Sequence, residues 1–132
     1  MPDSNPRYEK IPRKESIDKF VEGMKRHDCV SEVEKVSDIY YRITKITGEI
    51  LNVLLTNIYI VSEANVYEYL ISEEYKDINV ILTMSVWNSY TLDAKKMAKD
   101  RKVALFTYKE FYGALNYDGD KFLNYRVKKR NQ

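Results

Sequence analysis

The stretch INVILTMSVWNSYTLDAKKMAKDRKVALFTYKEFYGAL, residues 78–115, decides the fold class of this chain. Two short apolar runs, 78–84 and 103–106, flank a segment with helical spacing, 91–99, and a second helical segment, 108–115, follows. Strands alternating with helices predict a parallel pair joined by a crossover. The loop between the first strand and its helix carries Thr83, Ser85, Trp87, Asn88, Ser89 and Tyr90. The carboxyl end of such a strand is where an open α/β sheet usually builds a site.

Upstream, the pattern changes from crossover to hairpin. Residues 1–13 hold all three prolines and little apolar content, and they read as a flexible arm. Ser16 is placed to cap a helix running to about His27, with Ile17, Phe20, Val21 and Met24 on one face. Residues 38–46 and 49–56 alternate as two strands around the tight turn Thr47-Gly48. Residues 58–62 read as a third strand, and residues 64–75 as a short helix with Val66, Leu70 and Ile71 inward. The expected fold is α/β: a single mixed sheet, made of a three-strand antiparallel meander plus parallel strands, with helices on both faces. The expected layout is a basic arm (1–14), one domain (15–116) and a basic tail (117–132).

Composition narrows the function classes. A chain of 132 residues, 44% apolar and 32% charged, suits one globular domain with a single core. A net charge of +2 is too small to argue nucleic-acid binding, but its distribution says more. No acidic residue follows Asp120, whereas Lys121, Arg126, Lys128, Lys129 and Arg130 do. Such basic ends suit phosphate contacts. A single cysteine, Cys29, excludes an internal disulfide and fits a reducing compartment. Neither a signal-peptide pattern nor a long apolar run is present, so a cytoplasmic location is expected. One histidine, His27, beside one cysteine cannot complete a tetrahedral zinc set. The glycines are isolated, so no phosphate-cradling loop is expected. Trp87 and Asn88 are candidate nucleic-acid contacts. Against that, a lone tryptophan in a small domain is usually buried, which would seat Trp87 against residues 111–115.

The order of elements resembles the restriction-endonuclease-like (PD-(D/E)XK) fold, with the Mrr-type branch nearest. The residues carrying the resemblance are VILT (80–83), SVWNSY (85–90), TLDAKKMAK (91–99), VALF (103–106) and YKEFYGAL (108–115). The resemblance implies a core of helix, three-strand meander, helix and strand. It also implies an acid on the second strand and an Asp/Glu-x-Lys motif on the third. Two such carboxylates would hold magnesium through hard oxygen ligands, and the metal and lysine would activate a water against phosphate.

This chain departs from the motif. Asn52 stands where the second-strand acid is expected, with Glu49 three residues earlier. Glu63 is followed by Ala64 and then Asn65, where lysine is expected. Glu49, Asn52, Glu63 and Asn65 are therefore the candidate catalytic set, with Glu63 and Glu49 as metal ligands and magnesium as cofactor if catalysis occurs. The expectation is a catalytically impaired nuclease-like module associated with DNA or a protein. An active endonuclease drawing also on Asp38 or Glu22 is the alternative. A homo-oligomeric adaptor without a nucleic-acid role, such as a homodimer, is a further one.

Overall fold

The computed structural model describes residues 11–126. Helix α1 (Lys14–Arg26) starts two residues before the expected Ser16 cap, and Arg13 at its N-cap gives no side-chain cap. Strands β1 (Val30–Ser37), β2 (Tyr40–Lys45) and β3 (Ile50–Thr56) follow as an antiparallel meander. Gly48 turns β2 into β3 with a φ of 94°, a conformation glycine adopts without strain. Next come the two-residue β4 (Ile60–Val61), helix α2 (Glu63–Ile71) and a 3-10 turn (Glu73–Tyr75). The chain continues through β5 (Val80–Thr83), the short β6 (Ser89–Tyr90), α3 (Leu92–Asp100), β7 (Ala104–Thr107), α4 (Tyr108–Ala114) and α5 (Gly119–Leu123).

The main sheet runs β1-β2-β3-β5-β7, with β3, β5 and β7 parallel, so the fold is α/β with one mixed five-stranded sheet. Strand parity sorts the core into two halves. Tyr41, Ile43, Leu51, Val53, Leu55, Val80, Leu82 and Phe106 face α1, α4 and α5, which contribute Phe20, Met24, Phe111 and Phe122. Leu54, Ile81 and Leu105 face α2 and α3, which contribute Val66, Ala94 and Ala98. The small alanines let α3 lie close on the sheet.

Four expectations need correction. The meander is β1-β2-β3, because Val30–Ser37 is a strand that the sequence reading left unassigned. The expected third strand at 58–62 shrinks to β4, which leaves the main sheet and pairs in parallel with β6. Ile71 points outward rather than inward, and Tyr69 packs against the second core half in its place. The segment after residue 116 is not simply a tail: Phe122 is buried in the first core half against Phe106 and Phe111. No helix among the described residues is long and apolar enough to cross a membrane. The expected arm at 1–10, and Lys128, Lys129 and Arg130, lie outside the described residues.

Helix α2 owes its start to local chemistry. The Ser62 hydroxyl accepts from the Asn65 amide at 3.4 Å, and the Asn65 side chain accepts from the Ser62 amide at 2.9 Å. This reciprocal capping satisfies two otherwise unpaired donors. Ser62→Ala is expected to destabilise the fold by about 1 kcal/mol. Chemical denaturation checks it, and an unchanged midpoint would remove the cap from the account.

Candidate functional site

Three threonines mark the carboxyl end of the parallel strands: Thr56 pairs with Thr83, and Thr83 with Thr107. Threonine suits a strand, and its hydroxyl can then serve the chain reversal that follows. The Thr83 hydroxyl donates to the Ile58 carbonyl at 2.7 Å, tying the loop after β5 to the loop after β3. The Thr107 hydroxyl accepts from the Glu110 amide and so caps α4.

After β5 the chain goes to α3 on one face of the sheet; after the adjacent β7 it goes to α4 on the other. Neighbouring strands whose loops diverge leave a crevice between their carboxyl ends. Here it measures about 470 Å³. Met84, Ser85 and Val86 form one wall, and Thr107, Tyr108, Lys109 and Tyr112 the other, with Lys19 of α1 at the mouth. The Lys19 ammonium lies 5.9 Å from the Tyr108 ring centre. Burial pushes the Tyr108 phenol up to about 12, so it stays protonated at neutral pH. A methyl group on Gly23 of α1 would collide with the Tyr108 hydroxyl, so glycine there lets the tyrosine pack closely. Among the described residues no acidic side chain lines the crevice. The nearby α1 acids Asp18 and Glu22 are paired with Lys14 and Arg26.

The loop after β5 is a ridge held from beneath. Trp87 and Val86 are each 80% exposed. Asn88, only 8% exposed, donates from its amide to the Asn57 side chain at 3.0 Å and to the Thr83 hydroxyl at 2.9 Å. Two expectations are corrected at once. Trp87 is not packed on residues 111–115, and Asn88 faces inward and positions the loop instead of reaching out from it. A second cleft, about 520 Å³ and lined by Asn57, Tyr59, Asn65 and Asn88 among others, lies on the far side of Ser85.

Beside the crevice sits a buried polar group. The Tyr90 hydroxyl donates to the Glu110 carboxylate at 2.7 Å, and Glu110 also accepts from the Thr107 amide. Lys95 of α3 donates to the Leu105 carbonyl at 2.7 Å, with its ammonium 4.7 Å from the Tyr90 ring centre and 4.4 Å from that of Phe106. Burial lowers its pKa to about 8, against a smaller upward pull from Glu110. Burial and the Glu110 carboxylate both raise that of Tyr90.

The candidate catalytic residues do not converge. Glu49 precedes β3 and lies 3.6 Å from the Lys45 ammonium. Asn52 sits on the opposite face of β3, donating to the Asp77 carbonyl at 3.0 Å. Glu63 and Asn65 belong to the first turn of α2, beyond the other end of β3. Seven strand residues, Ile50–Thr56, separate the two ends by roughly 20 Å at about 3.3 Å per residue. Among the described residues no group of three His, Cys, Asp or Glu is placed to hold a metal ion. The observed second and third strands, YYRITK and ILNVLLT, contain no carboxylate at all. His27 is buried and structural: its Nε2 donates to the Tyr112 carbonyl at 2.9 Å while its Nδ1 accepts from the Cys29 amide at 3.0 Å. Lys121 and Arg126 are exposed, on α5 and just after it.

Comparisons of the chain with models of protein families, with curated proteins and with solved structures returned no match. The class defined by fold and site is therefore an α/β domain with a lysine-flanked crevice at the carboxyl end of its parallel strands.

Proposed function

We propose that this chain is a restriction-endonuclease-like domain lacking a nuclease's metal site, and that it associates with nucleic acid through the carboxyl end of its sheet. The order helix, three-strand meander, helix, strand supports the fold part of the reading. The observation that carries the binding part is Trp87, 80% exposed on the anchored loop whose Ser85 and Val86 line a crevice together with Lys19 and Lys109. An exposed ring on a fixed loop offers a stacking surface to a base, and lysines offer contacts to phosphate. Arg126, exposed just after α5, adds a further positive charge to the described surface. The absence of carboxylates from β2 and β3 supports binding without cleavage.

Trp87 is the sole tryptophan beside twelve tyrosines, so tryptophan emission excited at the red edge, where tyrosine does not absorb, reports on this loop alone. Single- or double-stranded DNA or RNA is expected to quench it at low salt, and added salt to reverse the quenching. Trp87→Ala is expected to weaken binding about tenfold, as loss of one stacked base would. Supercoiled DNA with magnesium or manganese is expected to remain uncut. Failure of every nucleic acid to perturb the fluorescence would sink the proposal.

A further inference from the structure

We infer that the crevice between the ends of β5 and β7 receives one unpaired base of a single strand, with the flanking phosphates on Lys19 and Lys109 and the next base stacked on Trp87. The inference rests on the nucleic-acid reading above and makes it specific for single strands.

The crevice has the character that a base requires. Its volume of about 470 Å³ lies within the usual range for small-molecule sites. Its walls are largely apolar and aromatic, from Met84, Val86, Tyr108 and Tyr112. The Tyr108 ring is fixed by edge contacts with Phe20 and Tyr112, at 6.3 and 6.1 Å between ring centres, and by its hydroxyl against Gly23. A wall already ordered loses little rotamer entropy when a ligand arrives. At Trp87 the loop rather than the ring is ordered beforehand, because Asn88 and Thr83 hold it before anything binds.

Charge selects the occupant. Lys19 and Lys109 are the charged groups lining the crevice, and neither makes an ion pair among the described residues. An apolar recess flanked by two such ammonium groups favours an aromatic ligand with anionic neighbours. A chain of bases joined by phosphates has that chemistry; an acidic peptide supplies the anions without the flat ring at each step. A duplex keeps its bases stacked inside and must unstack one before it can fill a recess. A single strand has no pairing to break, and base–aromatic stacking tolerates any sequence.

The test compares a short mixed-sequence single strand with its own duplex, using Trp87 fluorescence for the full chain. The single strand is expected to bind at least tenfold more tightly. The double variant Lys19→Gln/Lys109→Gln removes two exposed charges, and an unchanged thermal melt confirms its fold. It is expected to bind the single strand about tenfold or more weakly, with a salt slope smaller by about 1.4, from about 0.7 per phosphate contact. Equal affinity for both forms, or an unaltered salt slope in the double variant, overturns the inference while leaving nucleic-acid association standing. If no nucleic acid binds but an acidic peptide quenches Trp87, both fail together.

Discussion

Replacing Lys45 with methionine is expected to lower the unfolding free energy by about 3 kcal/mol, the low end for breaking a buried ion pair. Lys45 lies on the core face of β2 with Tyr41 and Ile43, and its side chain is 2% exposed. Its ammonium donates to the Tyr117 carbonyl at 2.6 Å and to Asp118 Oδ1 at 2.5 Å. It also lies 3.6 Å from Glu49 and 5.6 Å from the Phe122 ring centre. Methionine keeps the apolar stem but leaves a carbonyl and two carboxylates without their cation. Glu49 Oε1 is buried with no hydrogen bond, so this ammonium is its compensating charge. Asp118 is half exposed, and water will replace part of what it loses, which is why the low end applies.

The damage should be local before it is global. Asp118 precedes α5, and α5 carries Phe122 into the core. Proteolysis within residues 117–126 should therefore rise more than cleavage elsewhere. The bond from Lys45 also holds the Asp118 carboxyl below its usual range. That contribution is present at neutral pH and is lost as pH falls through the carboxyl's folded-state value. The variant should lack this part of the acid sensitivity. A destabilisation below about 1 kcal/mol, with unaltered proteolysis, would show that solvent already screens the pair.

The parts of the fold that alternate regularly were legible, and the parts that break alternation were not. Strand β2 follows period two up to a glycine turn, β3 is an apolar run buried on both faces, and β5, α3, β7 and α4 follow from apolar runs and helical spacing. Strand β1 reads VSEVEKVS, with valine at every third position, and it pairs with β2 through two register shifts, between Val30 and Glu32 and between Lys35 and Ser37. A bulge adds a residue to one strand and resets its parity, so no steady period survives in the sequence. Missing β1 moved every later strand of the meander by one. Ile58–Ser62 was thus given the place of the third strand, although its composition is equally served by the small β4–β6 pairing. Counted from β1, the third strand of the meander is ILNVLLT, which contains no Asp/Glu-x-Lys sequence.

The seat expected for Trp87, the apolar segment 111–115, rests on the usual burial of a lone tryptophan in a small domain. That seat is taken: Phe111 is ringed by Phe20 at 6.3 Å, Phe106 at 6.5 Å and Phe122 at 6.2 Å between centres. Phe122 arrives from the supposed tail, drawn in by α5 and the Lys45–Asp118 contact. With its seat filled, Trp87 stays outside, and the smaller Asn88 turns inward because Asn57 and Thr83 can satisfy its amide. The loop 85–90 was correctly located as the sheet's carboxyl-end surface. Its lysine neighbours, Lys19 and Lys109, come from helices distant in sequence, and no local pattern could have joined them to it.

The second large effect is a rise in stability with alkaline pH, centred on Lys95. Its side chain is 8% exposed, and the Leu105 carbonyl and two aromatic faces solvate its ammonium less well than water does. The folded-state value is about 8, whereas the unfolded chain titrates near 10.5. Below pH 8 both states hold the proton and Lys95 contributes no slope. Between these values the unfolded chain binds more protons than the folded one, so stability increases with pH. The full difference corresponds to about 3 kcal/mol at about 1.36 kcal/mol per unit. Tyr90 and Tyr108 act in the opposite sense: their folded values lie above the usual one, so above about pH 10 the unfolded tyrosines lose protons first and stability falls. Burial also raises Tyr40, Tyr41, Tyr69 and Tyr75, and with their combined effect stability should turn over between about pH 9 and 10. Lys95→Met fills the same space without a charge, and at pH 7 it should stabilise the fold by about 1–2 kcal/mol, the loss of the donor to Leu105 offsetting part of the gain. Wild type should gain about 2.5 kcal/mol between pH 7 and 10, so the advantage should shrink with pH and reverse by pH 10, where wild-type Lys95 is largely neutral. Denaturant titrations of both proteins at pH 7, 8.5 and 10 read the difference directly and cancel every other titrating group. A difference that stays constant with pH would mean that Lys95 keeps its proton in the folded state, with Glu110 and the aromatic faces outweighing its desolvation.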